Sequence, residues 1–64
     1  MEMLEALKKR YEAQIAEGIA TVNIYLKHPV GIGEHPQHLD EIDKLLDKIK
    51  EAEEKISLIE RWVK

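Results

Sequence analysis

Three imidazoles and a carboxylate gather within eleven positions of this 64-residue chain: His28, Glu34, His35 and His38. His35 and His38 lie three apart at the start of a helix, which puts them on neighbouring positions of one face. With His28 arriving from the preceding element, they form a donor set of the kind that holds zinc or nickel. Imidazole is also the commonest general acid–base group, and a histidine beside a carboxylate is the smallest acid–base pair. Both readings are thin. The chain has no cysteine, and Pro36 restrains the backbone of His35. Nothing supplies a nucleophile, an oxyanion hole or a sizeable pocket. The expectation is therefore no enzyme, no bound metal and no cofactor.

The same segment suits recognition better. Gly31 and Gly33 accept positive φ without steric cost, and backbone N–H groups leading into a helix N-terminus can cradle an anion. Lys27 and the histidines favour a negatively charged ligand such as a nucleotide, whereas Glu34, Asp40 and Glu41 oppose it. Neither the three-glycine dinucleotide fingerprint nor a Gly-Lys-Ser/Thr phosphate loop is present. Val30 and Ile32 supply apolar contacts for a protein partner, or plug the end of a bundle. The candidate ligand-contacting set is thus Lys27, His28, Val30, Gly31, Ile32, Gly33, Glu34, His35 and His38. The bland alternative is that glycines and prolines merely shape a turn.

Two helices must position this loop. Leu4, Leu7, Tyr11, Ile15, Gly18, Val22 and Leu26 recur every three or four residues, one stripe at about 100° per residue, with Ile19 and Tyr25 on its flanks. This predicts a helix over about residues 2–27, ended where Pro29 pushes His28 out of helical conformation. Thr21 to Leu26 alternates and is rich in β-formers, but a lone strand would have no partner, so the stretch is read as helix. After a loop over 28–35, Ile42, Ile49, Ile56 and Val63 repeat every seven residues, with Leu45, Ala52 and Ile59 three further on. That is a heptad seam, predicting a second helix from about residue 36 to 64. Asp40 and Lys44, and Glu51 and Lys55, are spaced for exposed ion pairs.

Helices of roughly 39 and 43 Å joined by a short loop fold back as an antiparallel hairpin. The fold class is all-α. The predicted register sets Leu26 against Leu39, Val22 against Ile42, Ile15 against Ile49 and Tyr11 against Ala52. Leu4 and Leu7 then meet Ile59, Trp62 and Val63. Gly18 falls opposite Leu45 and Leu46, where close helix approach explains a mid-helix glycine that otherwise costs about 1 kcal/mol.

One hairpin leaves apolar surface uncovered. Ala13, Ala16, Ala20 and Ile24 form a second stripe on the first helix, and Leu46 and Leu58 lie outside the second helix's seam. A two-helix layer of this size barely offsets the entropy of ordering it. Self-association through the alanine stripe is expected, as a dimeric four-helix bundle or a larger ring, unless a host protein's helix takes that face.

Composition narrows the partners. Ten basic residues against 13 acidic ones, interspersed, give a net charge of −3 and no basic stripe for duplex nucleic acid. The three aromatics lie far apart, which argues against a single-strand stacking platform. Neither a leader nor a membrane-length apolar run is evident, so a soluble cytoplasmic protein is expected.

Tyr25-Leu26 followed by Pro29-Val30-Gly31-Ile32-Gly33-Glu34-His35-Pro36 resembles the central motif of small helical proteins from T4-like and marine bacteriophages. Lys27-His28 stands where that motif has asparagines. The resemblance spans nearly the whole chain, with its specificity in the loop. It implies a phage accessory protein in the host cytoplasm, acting by stoichiometric binding of a host protein, a signalling nucleotide or a virion component. The functional expectation is a non-enzymatic, homo-oligomeric binding protein that uses its loop, the alternative being a purely structural assembly element.

Overall fold

In the computed structural model of the chain, which describes residues 2–27 and 37–62, two helices pack against each other as a hairpin: α1, Glu2–Lys27, and α2, Gln37–Trp62. No strand occurs among the described residues. The β-rich stretch 21–26 is helix, and Thr21 shows one local reason. Its hydroxyl donates to the carbonyl oxygen of Glu17 at 2.8 Å, one turn back, giving a β-branched side chain an internal partner. Charges follow the helix dipoles: Glu2 and Glu5 open α1 and Lys27 closes it, while Asp40 opens α2 and Arg61 closes it. Residues 28–36 and Val63, on which several of the sequence expectations fall, lie outside the described residues.

The seam is narrow and built on small residues. Ala52 and Ile59 are the buried hydrophobic side chains, at 3% and 7% exposure, and Gly18 is buried on the facing helix. Gly18 lies so close to α2 that a Cβ there would meet Ile49 Cγ1 at 2.9 Å and Cδ1 at 3.1 Å. The glycine marks the close approach, as its place in the stripe suggests. Leu45 lines the furrow beside it as the register predicts, and the atoms nearest the glycine belong to Ile49, one turn further along α2. The physical reason is shape: a β-branched side chain fills the notch that a missing Cβ leaves.

Two seam assignments are corrected. Leu26 and Leu39 are 64% and 69% exposed, and Trp62 is 73% exposed, so none is a core residue of the hairpin. Leu39 and Trp62 sit to one side of the seam, where a single facing helix does not reach, and Leu26 lies in the last turn of α1. The pair found near the start of α2 joins Lys44 to Glu41 at 3.5 Å rather than to Asp40, and Lys55 extends over Tyr11 instead of pairing with Glu51.

The molecule is long and thin, 48 × 14 × 13 Å, with a radius of gyration of 14.8 Å. A compact chain of this length would have a radius of about 11 Å. Its accessible surface is 5320 Å². A compact monomer of this mass would expose about 4,200 Å². The hairpin therefore carries roughly 1,100 Å² more surface than a self-sufficient domain of its size.

Candidate functional site

At the loop end, the closing element is an aromatic pair. Tyr25 on α1 and His38 on α2 meet edge to face, with ring centres 5.3 Å apart and planes at 86°. Both residues are half-buried. The edge-to-face geometry sets the positive edge of one ring against the negative face of the other, and it ties the last turn of α1 to the first turn of α2. Tyr25 was absent from the sequence-derived site. The signal that would have found it is its position on the seam's flank, opposite His38 in an antiparallel register.

Of the candidate ligand-contacting residues, the structure places two. Lys27 is the exposed last residue of α1, and His38 stands one residue into α2 with its ring against Tyr25. His28, Val30, Gly31, Ile32, Gly33, Glu34 and His35 lie outside the described residues. Among the described residues, no group of three or more histidine, aspartate or glutamate side chains is arranged to hold a metal ion.

A second feature lies mid-hairpin, where the small seam residues leave an open furrow of about 450 Å³. Gly18, Leu45 and Ala52 form its floor, with Gln14, Glu17 and Thr21 on one bank and Lys48, Glu51 and Lys55 on the other. Its two carboxylates and two ammonium groups balance in charge. Lys55 is engaged, its ammonium 5.3 Å from the centre of the Tyr11 ring, a cation–π contact that lies across the seam.

The alanine stripe is free of intrachain partners in burial terms: Ala13, Ala16 and Ala20 are exposed, as is Ile24. Comparison with protein-family models, with curated protein sequences and with solved structures finds no match. Neither described helix is long and apolar enough to cross a membrane.

Proposed function

We propose that this chain is a non-enzymatic interaction module, a helical hairpin completed by self-association that presents residues 27–38 for recognition. The carrying observation is the shortage of core. Only Ala52 and Ile59 are buried among the described hydrophobic side chains, while eight large ones are exposed. Burying a large apolar side chain contributes about 1.5–3 kcal/mol, and most of that gain is unrealised in one hairpin. Surface of this kind marks interaction sites.

The recognition role of the 28–36 segment is supported by composition and by position. Both prolines and two of the three histidines fall there, at the end of the molecule that Tyr25 and His38 hold together. Its phage-like motif fits a small accessory protein working in a host cytoplasm on a host protein or a nucleotide-type anion.

Native mass spectrometry of the full chain tests the first part. Multiples of 7.5 kDa are expected, and a single-chain mass at every concentration overturns self-association. Thermal shift with a panel of mono- and cyclic dinucleotides tests the anion reading. The expected result is a rise in Tm that the variant Gly31→Ala/Gly33→Ala/His35→Ala loses while keeping its helicity and mass. No rise across the panel leaves a protein partner as the class of target.

A further inference from the structure

The exposed aliphatic side chains are not scattered. Ile19 and Leu26 lie seven residues apart on α1, and Leu39 and Leu46 lie seven apart on α2. At 100° per residue, Ile19 and Leu26 fall within about 20° of Lys8, and Leu39 and Leu46 within about 60° of Glu60. Lys8 and Glu60 bridge the two helices at 3.2 Å, so these directions are one and the same flank of the hairpin. The furrow marks the other flank: Gln14 points about 140° from Ile19, and Lys48 about 160° from Leu46. Four aliphatic side chains from both helices therefore form one ledge beside the loop end. Leu26 and Leu39 are its outer pair, Ile19 and Leu46 its inner pair, at 48% and 52% exposure.

We propose that this ledge is the face on which a second copy of the chain docks, with the two hairpins pointing in opposite directions. The proposal rests on the self-association inferred above and assigns it a surface and an orientation. Three observations favour a second copy as occupant. The local two-fold relating antiparallel helices exchanges Ile19 with Leu46 and Leu26 with Leu39, so the ledge presents aliphatic side chains of similar size from both helices. An isologous contact sets this patch against its own copy, aliphatic against aliphatic. The chain as a whole carries roughly 1,100 Å² of surplus surface, more than the about 800 Å² each partner buries in a standard interface, so covering the ledge and the surface around it with one further copy is enough to account for the surplus. The alanine stripe on the back of α1 offers less, because alanines carry little apolar area each.

Charge fixes the orientation. Continuing the ledge toward the open end, the positions seven and fourteen residues before Ile19 are Glu12 and Glu5. Those seven and fourteen after Leu46 are Glu53 and Glu60, and all four are exposed. Stacking two hairpins with loops at the same end would set these acidic stripes against each other, with Lys8, already paired to Glu60, and Lys50 the near counter-charges. Like charges held face to face oppose docking. Reversing one copy keeps the apolar halves in register and carries each acidic half beyond its partner's ledge.

The test uses the full chain. Ile19→Lys/Leu46→Lys is expected to halve the sedimenting mass while retaining helicity, whereas Ala16→Glu/Ala20→Glu keeps the parent mass. Parent mass in the ledge variant overturns the proposal, and loss of mass only in the alanine variant moves the interface to the back of α1. A parent that sediments as a single chain overturns self-association itself. Should the ledge variant lose helicity, spin-label distances in otherwise unaltered protein decide. The absence of native cysteine lets Asn23→Cys and Glu2→Cys carry single labels. Opposed hairpins give a short Asn23 distance, on the order of 20 Å, and a Glu2 distance of about 60 Å. Two short distances would overturn the orientation, and two long ones the ledge.

Discussion

Gly18 and Ile49 pack across the two helices with no room for a Cβ between the glycine and the isoleucine's Cγ1. This contact sets the register, because sliding either helix by a turn would remove the one notch that admits a β-branched side chain.

A mutant cycle tests that contact. Gly18→Ala gains about 1 kcal/mol of helix propensity, but forcing a methyl group against packed Ile49 costs about 1–3 kcal/mol. The net change in wild type is expected to be zero to about 2 kcal/mol destabilising. In an Ile49→Ala background, held folded by an osmolyte, the same substitution should stabilise by about 1 kcal/mol. Chemical denaturation reads the four states, and equal effects in both backgrounds would mean the helices do not meet there.

The end of α2 separates a seam residue from a bystander three positions away. Ile59 is buried and Trp62 is not. Ile59→Ala is expected to cost about 2 kcal/mol or more, and Trp62→Ala to stay within about 0.5 kcal/mol. A comparable loss from both would put Trp62 in a core.

Lys8 and Glu60 join the helices through side chains 36% and 57% exposed. Solvent screens such a pair, so their coupling in a double-mutant cycle should be about 0.5 kcal/mol or less and should vanish in high salt. A larger, salt-resistant coupling would imply that this flank is covered in solution, as ledge docking nearby would cause.

The Tyr25–His38 pair should control opening at the loop end. Tyr25→Ala is expected to speed hydrogen exchange in the last turn of α1 and first turn of α2, leaving the Gly18 region unchanged. His38→Phe keeps an aromatic edge-to-face partner and should exchange like wild type. Uniform acceleration along both helices would show that the pair supports global rather than local stability.

Much of this architecture is legible from residue spacing. Pro29 and Pro36 bracket the break between helices, the Ile42–Ile49–Ile56 repeat marks the seam of α2, and Gly18 advertises close packing. Register is not legible in the same way. Apolar residues recur every three or four positions on both helices, so a slip of one turn exchanges one apolar pairing for another of similar burial. Shape and residue-specific contacts break that degeneracy: Gly18 against Ile49, Tyr25 against His38 and Lys55 over Tyr11. The exposure of Leu39 and Trp62 is not legible for a related reason: apolar type suggests seam membership, although their angles carry them beyond a single facing helix, while Leu26 shares the stripe's direction but lies in the last turn of α1. At the candidate site, the histidines and glycines stand out by type, whereas Tyr25 gains its role only from the fold that brings His38 to it.

Thermal unfolding followed by circular dichroism over a hundredfold range of protein concentration tests whether a second copy completes this hairpin. Association linked to folding contributes about 2.7 kcal/mol across such a range. For a chain this small, Tm should then rise by roughly 10 °C or more from the most dilute sample to the most concentrated. A cooperative transition whose midpoint stays fixed throughout would show that the hairpin folds alone, and would contradict the self-association on which its proposed role depends.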